Sequence, residues 1–146
     1  MLTKTLLIFT LAIICTVTAK DWYVSQTRGN DNNEGSQSQP FATVKKAYTS
    51  LDDEDSIHLE VGNYQENNLK TDKSFNIIGI KQQEKYPFIS GSLQFKGAKN
   101  TISGIQMESK VMHALDFYDS DFVKITDCLF TDVRCKSFLQ LLIYIF

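Results

Sequence analysis

The sequence predicts an all-β chain, wound as a parallel solenoid of about three coils behind a short capping helix. Two series of apolar residues carry that prediction. Ile77, Ile102 and Ile125 stand 25 and 23 residues apart, and each opens a matching phrase: Ile77-Ile78-Gly79-Ile80, Ile102-Ser103-Gly104-Ile105 and Ile125-Thr126-Asp127-Cys128. Leu69, Leu93 and Leu115 repeat at 24 and 22 residues. Two independent sets sharing one period mark a chain that returns over itself, because a parallel strand pairs only after a long excursion. Gln82, Met107 and Phe130, two residues beyond each phrase, extend the correspondence. An antiparallel sandwich also uses many short strands, but it needs hairpin turns and gives no reason for a constant period. Only Gly62-Asn63 resembles a tight turn.

The first segment, residues 1–19, is set apart from the fold. It holds one charge, Lys4, then an apolar run from Leu6 to Val17, and closes on Val17-Thr18-Ala19. That is the pattern of a signal peptide cleaved after Ala19, and it predicts a secreted, extracellular protein. The run is shorter than the roughly 20 residues of a membrane span, so no transmembrane anchor is expected. Residues 20–55 open with a strand-like Trp22-Tyr23-Val24, followed by the polar stretch Gly29-Asn30-Asp31-Asn32-Asn33-Glu34-Gly35-Ser36, a loop by composition. Pro40 sits where a helix would start. Phe41, Val44, Ala47, Tyr48 and Leu51 then form one apolar stripe at offsets of three and four, a helix ending at the acidic corner Asp52-Asp53-Glu54-Asp55. That corner reads as solvated.

Residues 56–132 hold the coils. Ile57-His58-Leu59-Glu60-Val61 alternates with the period of a strand, and no later stretch is long and periodic enough for a helix. Residues 133–146 end in the apolar run Phe138 to Phe146, too short to span a membrane. It reads as the end of a shortened reading frame, with a docked final strand as the next reading and a partner-binding edge as the third.

The segments Tyr23-Val24-Ser25, Gly29-Asn30-Asp31, Gly35-Ser36 and Pro40-Phe41-Ala42-Thr43-Val44, with Ala47, resemble the N-terminal module of pectin-lyase-like proteins. Asp55-Ser56-Ile57-His58-Leu59, Gly62-Asn63-Tyr64 with Glu66, and Asn100-Thr101-Ile102-Ser103-Gly104-Ile105 are similar to coil phrases of the same superfamily. The resemblance covers residues 22 to about 132 and implies a right-handed parallel β-helix. It is specific for fold and weak for activity. The helix before the first coil is suited to cap an open solenoid end, with Lys45 and Lys46 facing outward.

Charge and cysteine usage narrow the partners. Loss of Lys4 with the leader leaves 14 basic and 17 acidic side chains, with no basic cluster, so nucleic acid is not an expected partner. Cys15 leaves as well, and Cys128 and Cys135 remain as a possible disulfide across a short loop. Cys128 equally suits a packed core position. No Asn-x-Ser/Thr acceptor occurs.

The enzymatic case finds no residues. The resemblance implies that a lyase would need calcium and a basic residue beside a uronic carboxylate, and an esterase paired aspartates. The only arginines, Arg28 and Arg134, lie off the coil faces, while Lys110 and Lys124 are the lysines nearest the acids. Asp116, Asp119 and Asp121 offer hard oxygen ligands that would suit calcium, although such a group is more often a solvated turn. No catalytic residue is assigned, and no cofactor is expected beyond that calcium.

His58 points outward from its strand, and Tyr64, Tyr86 and Tyr118 are candidate stacking residues, with Phe117 set beside them and inward packing its alternative. His113 has no telling neighbour. Two functions follow. One is a non-catalytic extracellular protein binding glycans or other surface polymers along its coil faces. The other is a polysaccharide lyase or pectinesterase-like enzyme, or a fragment of one.

Overall fold

A computed structural model describes residues 18–97, 99–108, 115–118 and 120–131. Strand β1 (Asp21–Val24) comes first. The loop after it is tied by hydrogen bonds: the Tyr23 amide donates to the Gly35 carbonyl, the Phe41 amide donates to the Tyr23 carbonyl, and the Asp31 carboxylate accepts from the Ala42 and Thr43 amides at 2.9 and 3.0 Å. Helix α1 (Val44–Ser50) follows, and its N-cap is Thr43, whose Oγ1 accepts from the Lys46 amide at 3.1 Å. The start expected at Pro40 is therefore corrected. Phe41 remains extended and bridges Val24, so the helix begins only where a capping side chain is present. Val44, Ala47 and Tyr48 of the expected stripe are buried, while Lys45 is exposed.

The remaining elements are strands: β2 (Ser56–Glu60), β3 (Asn63–Thr71), β4 (Asn76–Ile80), β5 (Phe88–Phe95), β6 (Lys99–Ser103), β7 (Gln106–Glu108), β8 (Leu115–Phe117), β9 (Phe122–Thr126) and β10 (Leu129–Thr131). Among the described residues they form two sheets in which every strand pairing is parallel. The first has the order β1-β2-β4-β6-β9; the second has β10-β7-β5-β3, with β8 also on β5. From β2 to β7 the chain alternates between the sheets, so each strand pairs two strands on in sequence.

Register lines up like residues. Ile57, Ile77, Ile102 and Ile125 are successive partners in the first sheet, and Leu69, Leu93 and Leu115 are partners in the second. Both expected series are thus true columns. Ile57, Ile77 and Ile102 have no exposed surface, and Ile125 keeps 9%. Burying each completely contributes about 1.5–3 kcal/mol.

The third expected series is corrected. Met107 does pair Phe130, but its other partner is Ile89 and not Gln82. The corners β2–β3, β6–β7 and β9–β10 hold two residues each, whereas residues 81–87 separate β4 from β5 and carry Gln82 out of the column. There Gln82 and Lys85 exchange backbone hydrogen bonds at 3.1 and 2.9 Å across Gln83 and Glu84, both at positive φ.

Aromatic rings continue the stacking at one end of the core. Phe75 stacks on Phe95 at 5.3 Å, Phe95 on Phe117 at 5.0 Å, and Tyr48 of α1 meets Phe75 edge-on at 5.0 Å. Phe117 therefore packs inward. Gly91 marks where β5 bends: at φ +133, a Cβ would lie 1.6 Å from the Glu66 carbonyl oxygen. Opposite it, β3 carries an extra residue between Glu66 and Leu69, with Asn68 at φ 58.

The acidic corner is not uniformly solvated, which corrects the expectation. Asp55 is buried, and its carboxylate accepts from the Lys20 and Asp52 amides and from Trp22 Nε1, all within 2.9 Å. Three donors offset the cost of burying that charge.

Candidate functional site

The outward side of the second sheet presents two rows. Asn63, Phe88, Gln106 and Leu129 form one; Gln65, Ser90, Glu108 and Thr131 form the other. They face outward because Tyr64, Ile89 and Met107 between them point into the core. Two adjoining hollows of about 440 and 630 Å³ follow these rows and share Asn63 and Phe88. The larger is walled by the 81–87 loop through Glu84, Lys85 and Tyr86. The surface is an open trough whose floor mixes amide, hydroxyl and carboxylate groups with the apolar side chains of Phe88 and Leu129, and Tyr86 stands at its side.

Tyr86 is held at this wall by groups distant in sequence. Its hydroxyl donates to Asp127 Oδ1 at 2.8 Å, Lys81 Nζ meets Asp127 Oδ2 at 2.7 Å, and Lys81 Nζ lies 4.7 Å from the Tyr86 ring centre. Lys81 and Tyr86 hold the Asp127 carboxyl below its ordinary range, and the same contacts raise Lys81 and Tyr86. Nothing in the spacing of residues 81, 86 and 127 announces this cluster. It forms because the 81–87 loop extends past the Gly104-Ile105 corner to the Asp127-Cys128 corner.

The other candidates fall at separate places. Tyr64 is corrected as a stacking residue: it is 4% exposed, and its hydroxyl donates to the Glu60 carbonyl at 2.8 Å and accepts from the Gln26 amide at 3.3 Å. Burial pushes its phenol up to about 12. His58 does face outward from the first sheet, but its ring stacks on Tyr23 at 4.7 Å and its Nε2 lies 3.0 Å from Asp21 Oδ1, so its face is already occupied. Tyr118 is 53% exposed and borders a third hollow, of about 570 Å³, with Lys70, Gln94 and Lys96.

Asp116 lies in β8, paired with Gln94, and Asp121 is exposed just before β9; Asp119 lies outside the described residues. Among the described residues, no three His, Cys, Asp or Glu side chains gather as a metal site. Cys128 is half-buried, its Sγ within 3.2 Å of the Thr126 carbonyl, and burial pushes its thiol up. Its proposed partner Cys135 lies outside the described residues, as do His113, Lys110, Arg134 and the 138–146 run.

Sequence reasoning also missed two carboxylates. Glu60 takes Arg28 in a two-point ion pair through Nε and Nη2, which lowers its carboxyl. Glu66, 7% exposed, accepts from the Lys45 amide at 3.1 Å at the start of α1. The alternation of β3 hid it, because Tyr64 and Glu66 share a face that the extra residue before Leu69 turns inward.

The fold and this surface define an all-β protein of parallel strands in register, with an open trough along one sheet. A family model described as Protein of unknown function (DUF1565) matches residues 27–105, more than half of the chain. The chain belongs to that family, which is known as a parallel β-helix-like domain. No curated protein and no solved structure matches it. Among the described residues, no helix is long and apolar enough to cross a membrane.

Proposed function

We propose that the protein is a secreted, right-handed parallel β-helix of the pectin-lyase-like kind, which binds an extended glycan along the trough of the second sheet without cleaving it. The alternation of parallel strands between two sheets supports the winding, and right-handed crossovers are the rule for parallel strands. The observation that carries the binding reading is the trough itself. The row Gln65, Ser90, Glu108 and Thr131 repeats hydrogen-bonding side chains at the inter-strand distance of about 4.8 Å, and Tyr86 and Phe88 offer rings to the apolar face of a sugar. A long, shallow, open surface suits a polymer better than a small molecule, whose sites are enclosed.

Affinity electrophoresis through polygalacturonate and other surface polysaccharides, with and without calcium, tests this. The protein should be retarded by at least one polymer, and Tyr86→Ala or Gln106→Ala should weaken retention about tenfold, equivalent to about 1.4 kcal/mol. Accumulation of unsaturated products or free methanol in the same mixtures would instead favour the lyase or esterase alternative. Retention by no polymer would end the binding reading.

A further inference from the structure

We propose that Asp127 is a positioning residue, which holds the 81–87 loop against the trough through Tyr86 and Lys81 and so sets the affinity for a bound glycan. The inference rests on reading the trough as a glycan site. Three corners lie in succession along the stacked strands: residues 81–87, Gly104-Ile105 and Asp127-Cys128. The first reaches past the second to the third. It does so with one hydrogen bond of 2.8 Å and one ion pair of 2.7 Å, both ending on the two oxygens of a single carboxylate. The loop is also fixed at its far end, where the Pro87 carbonyl accepts from the Gln106 amide at 2.8 Å.

Lys81 and Tyr86 thus share Asp127 as a common partner, and Tyr86 is the ring that walls the larger hollow. The loop itself has a reason to depart. Gln83 and Glu84 both sit at positive φ, a conformation that costs non-glycine residues energy. The carboxylate of Asp127 works against that tendency. It touches no presumed ligand and acts through Tyr86.

Asp127 lies at φ 52, so Asp127→Gly removes the carboxylate without straining the corner. Asp127→Asn keeps an acceptor for Tyr86 and removes the charge that Lys81 meets. Two readouts separate positioning from simple stapling of the last strands. One is the rate of tryptic cleavage after Lys81 and Lys85, mapped by mass spectrometry. The other is retention of the folded protein by polygalacturonate.

Asp127→Gly should be cut about tenfold faster, as expected for loss of a hydrogen bond to a charged group. Its retention should fall by about the factor seen for Tyr86→Ala, with no further loss in the double variant, and Asp127→Asn should lie between. Unchanged cleavage would overturn the proposal. So would faster cleavage with native retention, which is what a mere staple gives. A native protein retained by no polymer would end the glycan reading and this role with it, whereas unchanged cleavage ends the positioning role alone.

Discussion

Glu66 joins β3 to the start of α1, and it does so at a cost set by its surroundings. Burial raises its carboxyl, and the hydrogen bonds from the Lys45 and Val44 amides only partly oppose that rise. A raised value in the folded state means that folding binds a proton. The stabilising contribution is complete below the unfolded carboxylate range and is lost as pH climbs through the raised value. Glu66→Gln keeps an oxygen for the Lys45 amide and removes the charge. It should therefore unfold at higher urea than the native protein at neutral pH, and the gap should close as the solution is acidified into the carboxylate range. Urea titrations at several pH values measure this; an equal gap at every pH would contradict it.

At this scale the sequence was legible for apolar residues and much less so for polar ones. Ile77, Ile102 and Ile125 advertise their column because one face must stay dry in every layer. Asp55 does not advertise its burial, since it sits in a run of four acids and its three donors come from residues 20, 22 and 52. Tyr64 was misplaced for a geometric reason. Counting back from Leu69 by twos puts it outside, but the extra residue at the Asn67-Asn68 bulge reverses the count and turns it inward.

Among the elements, the 81–87 connection departs most from its counterparts. Its turn places two adjacent side-chain-bearing residues in the left-handed region, where type I′ hairpins prefer Asn-Gly. The double substitution Gln83→Asn, Glu84→Gly should raise stability by about 1–2 kcal/mol, since the backbone conformation is kept and its cost removed. Thermal unfolding reads this as a higher Tm; an unchanged or lower Tm would argue against the turn. Period counting found the strands on either side and failed at the turn itself, because an insertion leaves the columns intact while shifting the numbering between them. The helix was legible from its stripe, but it was started too early, where Thr43 outweighed Pro40, and Leu51 lies past its end as an extended cap.

Across the whole molecule, each strand depends mainly on its immediate neighbours, so stability should vary along the stack. Side chains of β4 and β5 are flanked by strands on both sides, whereas Phe122, Leu129 and Phe130 of β9 and β10 are 40–51% exposed. Hydrogen exchange followed by mass spectrometry should find the slowest amides in Asn76–Ile80 and Phe88–Phe95 and the fastest strand amides in Leu129–Thr131. Uniform exchange through both sheets would mean that the layers unfold as one.

The seven-residue connection between β4 and β5 has a wider consequence. Strands on both sides of it keep the same partners as strands joined by two residues, so the backbone tolerates added length at that bend without losing alignment. The bend is thus a natural place to graft a foreign peptide, such as an epitope or a sensor sequence, between Gln83 and Glu84. A single-residue deletion inside Lys99–Ser103 has no such outlet and would turn Ile102 toward water.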